Sequence, residues 1–304
     1  MVQIENKRFS FSGHESFQCR NLWLKKGYDY VQSGKSFNDE DAVVVLGVGK
    51  NMVASIRYWM KAFGLINSED ILTDFAHKLL SDNGWDPYLE DEMSLWLLHY
   101  HLVSRGYATI YGLVFNELRR EKIEFTKENF LGFIKRKAEL LKLTVNEKTA
   151  SDDFDVMIKL YCRQDSKDKE DTFSGLLNEL EIIKYYTREV EYYSTEKEKN
   201  MKKSEQYFII ENVDRPNLSE HAVLYNILAD PNINMSVSLT YMEQEPNSVS
   251  SIFAVNRSEL VNKIELLVTN NPNFTYSDQA GIRELQFKIK PTPFEVLEMY
   301  YAAE

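Results

Sequence analysis

Residues 43–66, VVVLGVGKNMVASIRYWMKAFGLI, constrain the fold of this chain more than any other stretch. A short apolar run ends at a glycine-containing break, residues 47–49, and Gly64 is placed to end the helix that follows. Between them, apolar residues recur at the spacing of one helix face, at Val53, Ile56, Met60 and Phe63. Helix, short turn and helix form the helix-turn-helix unit, whose second helix enters the major groove of DNA.

The second helix of this unit carries a set of polar residues outside the apolar stripe. Lysines are suited to phosphate contacts, and Asn and Arg side chains are suited to base edges. Residues 42–68 contain no Asp or Glu, although the chain is acidic. Two other interpretations stay open, a core helix pair with a solvated basic edge and a protein–protein module. The DNA-contact candidates are Lys50, Asn51, Ser55, Arg57, Tyr58 and Lys61.

The charge of the chain is unevenly distributed. The net charge is −11, which opposes indiscriminate binding to nucleic acid. Residues 1–66 nevertheless carry nine Lys and Arg against six Asp and Glu, a balance of +3, and the remainder carries −14. A mildly basic head on an acidic body is compatible with local docking onto DNA or onto another protein.

The N-terminal segment FSFSGHESFQCRNLWLKKG predicts a helix over residues 15–26, ended by Gly27, as the first helix of a three-helix unit. Its cations Arg20, Lys25 and Lys26 are secondary candidates for DNA contact. The neighbouring His14 and Glu15 invite a catalytic or metal-binding interpretation. Adjacent side chains point in different directions on a helix, so a structural or partner-contacting role is the stronger interpretation.

Several phrases of the sequence are similar to a known bacterial family. FSGHESFQCRNLWLKKG and DAVVVLGVGKNMVASIRYWMKAFGLI, followed by DPYLED, LWLLHY, TASDDFDVMIKLY and YSDQAGIRELQF, resemble the family catalogued as domain of unknown function 4007. Members of that family resemble accessory proteins encoded beside phosphoadenosine-phosphosulfate-reductase-like proteins, in neighbourhoods linked to DNA sulfur modification and phage defence. The family has no established activity, so the resemblance implies a context and transfers no catalytic residue.

The rest of the chain predicts a mainly α protein with small β-hairpins, in the α+β class. We expect a helix-turn-helix or winged-helix-like head over 1–80 and a helical region over 81–145. A helical and hairpin region, for which a degenerate winged helix is a second interpretation, is expected over 146–212, with strands near 182–192 and 207–210 joined by a charged linker. Residues 213–304 predict a winged-helix-like part, with helices capped by Ser219 and Ser258, a hairpin within 274–289, and a capping box at Thr292–Glu295.

The sequence contains no strong enzyme signature. It has no phosphate-binding Gly loop and no nucleophile elbow, and Cys19 and Cys162 lack the spacing of a redox or zinc pair. We therefore expect no catalytic residue, cofactor or metal. We also expect a soluble cytoplasmic protein without a membrane partner. The leading hypothesis is an accessory protein that binds double-stranded DNA. The alternative is an adaptor subunit of a defence or modification complex that docks onto a protein such as a reductase-like neighbour.

Overall fold

A computed structural model describes residues 9–163, 174–194, 199–279 and 281–303. Helices predominate within these residues, and two three-stranded antiparallel sheets complete the fold. This architecture confirms the α+β class. Among the described helices, none combines the length and the apolar character that crossing a bilayer requires.

The head of the molecule contains four helices. The glycine turn joins the second helix to the third as predicted, and the predicted stripe Val53, Ile56, Met60 and Phe63 is buried. Gly64 follows the third helix with a φ of +73°, and the N–H of Leu65 donates a hydrogen bond to the carbonyl of Met60. The helix therefore ends at a glycine in the left-handed conformation. The four helices are α1 (Trp23–Gln32), α2 (Ala42–Leu46), α3 (Lys50–Ala62) and α4 (Asp74–Leu80).

The helix predicted over residues 15–26 is wrong. Left-handed φ values at Ser12, Glu15, Ser16 and Leu22 interrupt the chain, so α1 begins only at Trp23. Gly27 lies inside α1 instead of ending it. A Cβ atom there would lie 2.9 Å from Cγ2 of Ile56, so the glycine permits α1 and α3 to pack closely.

Residues 9–22 instead form a non-helical strap that joins the head to the middle of the protein. Ser10 pairs with Thr109 through two hydrogen bonds of 2.8 and 3.3 Å. The carbonyl of Phe17 accepts a hydrogen bond of 3.0 Å from the indole of Trp59. These tertiary bonds satisfy polar groups of the strap that a helix would have satisfied internally, which explains why local pattern misjudged the segment.

The middle of the protein is organised around a helix that is buried on nearly every side. This helix is α5 (Glu92–Ser104), and its buried His99 bonds to the hydroxyl of Tyr161 and to the carbonyl of Ile252. Both imidazole nitrogens are therefore hydrogen-bonded within the core. The following helices are α6 (Thr109–Leu113), which continues as a π-helix (Val114–Leu118), then α7 (Arg119–Glu121), α8 (Lys127–Leu141) and α9 (Glu147–Tyr161).

A long β-hairpin follows the middle helices. Its strands pair antiparallel over eleven residues each, and the short first strand extends the sheet in the order β1-β3-β2. The sequence predicts a linker at the charged tip of this hairpin. Residues 199–205 belong to the second strand of the hairpin, so the prediction is wrong for them. Residues 195–198 lie outside the described residues. Cross-strand pairs such as Glu191 with Lys202 compensate the weak strand propensity of these residues. The strands are β1 (Glu124–Phe125), β2 (Lys184–Ser194) and β3 (Lys199–Ile209).

The C-terminal part combines helices with the second sheet. The caps at Ser219 and Thr292 form as predicted, whereas Asn256, rather than Ser258, caps the helix near residue 260. A short strand, β4, pairs with the predicted hairpin in the order β4-β6-β5. The elements are α10 (Glu220–Ala229), β4 (Ser236–Ser238), α11 (Leu239–Gln244), α12 (Val249–Phe253), α13 (Arg257–Asn270), β5 (Phe274–Gln279), β6 (Ile282–Phe287) and α14 (Pro293–Tyr301).

Candidate functional site

One face of α3 remains open to solvent. Lys50 and Asn51 are exposed in its first turn, and Arg57 and Lys61 are half-buried further along. With the exposed Ala54, their spacing of three or four residues places them in one row along the helix. The row contains no carboxylate. We call these five residues, Lys50, Asn51, Ala54, Arg57 and Lys61, the α3 stripe.

Two of the predicted contact residues are not part of this stripe. Ser55 is fully buried and Tyr58 is 5% exposed, so the expectation that they face solvent is wrong. The strap covers this side of α3, and the Ser55 hydroxyl donates a hydrogen bond of 3.5 Å to the carbonyl of Phe17. The buried face is therefore wider than the apolar stripe alone predicted.

The three secondary candidates for DNA contact lie outside the α3 stripe. Arg20 is in the strap, and Lys25 and Lys26 are in α1. Lys25 is buried, and its ammonium bonds to the carboxylates of Asp29 and Asp82 at 2.6 and 2.7 Å, so the expectation that it is available for DNA is wrong. The guanidinium of Arg20 lies over the ring of Trp23, 5.3 Å from its centroid. Lys26 is exposed and lies 3.4 Å from the carbonyl of Leu46.

The α3 stripe forms one wall of a cleft of about 930 Å³. Carboxylates stand in the other walls, from Glu15 of the strap and from Asp39 and Glu40 before α2. Tyr107, from the turn between α5 and α6, also lines the cleft. The cleft is thus lined by both positively and negatively charged side chains, a property that the acid-free sequence of residues 42–68 did not predict.

Asp70 organises two cations of the stripe. Its carboxylate accepts from Arg57 at two points, Nε at 3.0 Å and Nη2 at 2.6 Å, and from Nζ of Lys61 at 2.9 Å. Partial burial raises the pKa of Asp70, but the hydrogen bonds from Arg57 and Lys61 outweigh it and hold the pKa below its ordinary value. Asp70 therefore stays ionised and holds both cations in fixed positions. Sequence analysis missed this residue because it lies just beyond the acid-free stretch.

A buried histidine–carboxylate pair lies beside the cleft. His14 donates from Nε2 to Oδ1 of Asp153 on α9, which also accepts from the backbone N–H of Ser12 at 2.8 Å. Nδ1 of His14 lies 3.2 Å from the N–H of Ser16 and accepts from it, so Nε2 is the nitrogen that donates to Asp153. Both imidazole nitrogens are occupied, and the pair ties the strap to α9. A separation of 139 residues hid this pair from sequence analysis.

Gly13 allows the strap to approach α3. Its φ is +100°, and a Cβ atom there would lie 2.8 Å from Cδ2 of Tyr58. Within the described residues, the Tyr58 hydroxyl and Oδ2 of Asp153 are buried without a hydrogen-bond partner. Nowhere in the described part of the chain do three His, Cys, Asp or Glu side chains group to hold a metal ion.

These features define an α+β protein whose head presents a basic helix face in a cleft of mixed charge. Residues 11–301 match the model of the family described as "Protein of unknown function (DUF4007)", and the chain belongs to that family. No curated protein matches the chain significantly.

Two solved structures are similar to this chain over nearly its whole length. A crystal structure of SspB has a TM-score of 0.81 and 27% sequence identity, covering 96% of this chain and 88% of the SspB chain. A magnesium-ion-bound crystal structure of SspB has a TM-score of 0.79 with the same identity and coverage.

Proposed function

We propose that this protein is an accessory protein that binds double-stranded DNA through the α3 stripe. The observation that carries the proposal is the composition of that stripe. The solvent-facing row of α3 consists of two lysines, an arginine, an asparagine and an alanine, without an acidic residue. Such a row offers cations for phosphates and a small surface that does not obstruct close approach.

The arrangement of the head supports a winged-helix-like mode of binding. α2, the turn at residues 47–49 and α3 follow one another as in a helix-turn-helix unit, and α3 would enter the major groove. Ile66 and Leu72 form one antiparallel bridge after α3, which corresponds to a minimal wing. α13, the hairpin β5–β6 and α14 support a second winged-helix-like unit in the C-terminal part.

Each residue of the stripe has a distinct role in this proposal. Lys50, exposed in the first turn of α3, neutralises a phosphate. Asn51 beside it is placed to contact a base edge. Arg57 and Lys61 fix the position of the DNA backbone from the opposite end of the stripe, where a phosphate replaces Asp70 as their partner.

The cellular context of the proposal comes from the family resemblance. DNA sulfur modification and phage defence, with a reductase-like protein as a possible neighbour, are the setting in which an accessory DNA-binding protein would act. The SspB relative is described with a bound magnesium ion.

The proposal is tested by fluorescence anisotropy of a labelled mixed-sequence duplex, titrated with salt. We expect an affinity that falls steeply with salt, and Lys50→Ala should lower the salt slope by about 0.9. Lys148→Ala is the matched control, because Lys148 is also exposed but lies on α9 outside the cleft. Flat anisotropy at low salt, or equal effects of the two variants, would reject the proposal.

A second candidate function, protein docking, is favoured by an apolar surface on α2. Its three valines are exposed, Val43 by 39%, Val44 by 81% and Val45 by 50%. Contiguous exposed apolar side chains are characteristic of protein interaction sites. Val44→Ser separates the two functions, because it should abolish binding of a partner protein encoded beside this one and leave the duplex affinity unchanged.

A further inference from the structure

A second, smaller cleft lies beside the one lined by the α3 stripe. It has a volume of about 460 Å³ and is lined by Lys61, Arg105, Tyr107 and the turn at residues 66–68. The two clefts share Lys61 and Tyr107, so they are adjacent. Unlike its larger neighbour, the small cleft has two cations and no carboxylate among its lining residues.

Arg105 is the distinctive residue of this cleft. Its side chain is exposed, and no carboxylate within the described residues forms an ion pair with it. The guanidinium lies against the backbone of Gly64, where a Cβ atom would come within 2.8 Å of Cζ. Gly64 therefore serves two purposes, because it ends α3 and also leaves a flat surface on which Arg105 rests. An arginine held in one plane is suited to bind a phosphate through two of its N–H groups.

The other walls complete a site for an anion with an aromatic neighbour. Nζ of Lys61 donates to the carbonyl of Ser68 at 3.0 Å and lies 2.9 Å from the carboxylate of Asp70, so a phosphate in this cleft would share the ammonium with Asp70. Tyr107 is 39% exposed, and its ring contacts that of the buried Tyr58 in a tilted arrangement with the centroids 5.5 Å apart. A half-exposed tyrosine beside two cations can stack a nucleobase whose phosphate the cations bind.

We propose that the cleft between Lys61, Arg105 and Tyr107 is a nucleotide subsite, in which Arg105 and Lys61 bind a phosphate and Tyr107 stacks the base. In the setting of the proposed function, on which this inference rests, the nucleotide belongs to an unpaired end of the DNA strand that continues past the α3 stripe, because a paired base inside the duplex has no free face for Tyr107. A free nucleotide offers the same chemistry, and the experiment distinguishes the two sources.

The experiment compares wild type with Arg105→Ala, Tyr107→Leu and the control Lys148→Ala. Two probes are used, the labelled duplex with a single-stranded thymidine overhang in anisotropy titrations and thymidine 5′-monophosphate in ligand-observed NMR, with thymidine as the phosphate-free reference. We expect Arg105→Ala to weaken duplex binding about fivefold and to lower the salt slope by about 0.9. It should also abolish the thymidine monophosphate signal, whereas thymidine gives no signal with any variant.

The outcomes separate this inference from the proposed function. If Lys50→Ala weakens duplex binding and Arg105→Ala does not, the duplex proposal stands and the subsite is rejected. If the duplex does not bind but thymidine monophosphate binds in an Arg105-dependent way, the subsite stands for a free nucleotide and the duplex proposal is rejected. If neither probe binds, both are rejected. Arg105→Lys should restore part of the affinity, because it keeps the charge and loses the planar fork.

Discussion

α3 and α5 have the same length, thirteen residues, and opposite relations to their surroundings. Ten residues of α5 are buried, including His99, and its apolar side chains point in every direction. Seven residues of α3 are buried, and the remainder includes the polar stripe. The comparison shows that a helix can be central to a fold through full burial or through one covered face. Only the second kind leaves side chains available for a partner.

The largest difference between the two helices should be seen in stability. Leu97 of α5 is fully buried, and Leu97→Ala should lower the free energy of unfolding by about 2–5 kcal/mol. Lys50→Ala on α3 should change it by no more than about 0.5 kcal/mol, because Lys50 is exposed and makes no ion pair within the described residues. Urea denaturation followed by circular dichroism measures both values. Similar values for the two variants would contradict the assignment of α5 as the structural helix.

A second difference concerns pH. Burial lowers the pKa of His99 from 6.5 to about 3, so its imidazole stays neutral in the folded protein. Between those two values the unfolded chain binds a proton that the folded chain does not, and stability must fall as the pH falls. The loss between pH 6.5 and pH 5 should be about 2 kcal/mol from this group.

The variant His99→Gln isolates this effect. It should reduce the pH dependence of the denaturation midpoint in that range by about half, because burial also lowers the pKa of His101 on the same helix to about 3. His77→Gln, at an exposed position on α4, provides the control and should leave the pH dependence in place. An unchanged slope in His99→Gln would show that another group governs the acid lability.

Sequence alone predicts both helices but not the strap that packs against α3. The buried stripe of α3 and its glycine end follow from local periodicity, and the buried character of α5 follows from its nearly continuous apolar run. The strap and its His14–Asp153 pair do not, because tertiary contacts across 139 residues determine them. Local pattern also assigned Ser55 and Tyr58 to the solvent side, since it contains no information on the strap that covers them. The α+β class and the family were predicted correctly, and DNA binding by the stripe stays a prediction.

The smallest effect is expected on duplex affinity, at the end of α3 where Arg57 and Lys61 pair with Asp70. Asp70→Asn removes the charge that pairs with Arg57 and Lys61 and keeps a side chain that tolerates the φ of +63° at this position. If those cations contact phosphates, the carboxylate competes with DNA for them. The variant should then raise duplex affinity by about threefold to tenfold, equivalent to about 0.7–1.4 kcal/mol. Its effect on stability should stay below about 1 kcal/mol, because the ion pairs are partly solvated.

Asp74→Asn is the charge-matched control for this measurement, since Asp74 is exposed on α4 and does not line the cleft. A rise in affinity limited to Asp70→Asn assigns the effect to the released cations, whereas an equal rise in both variants reflects net charge alone. A fall in affinity for Asp70→Asn would reverse the interpretation, because it would mean that the carboxylate positions Arg57 and Lys61 for their partner. In that case α3 would share a property with α5 after all. Arg57 and Lys61, like the imidazole of His99, would depend on a hydrogen-bonded neighbour for their position.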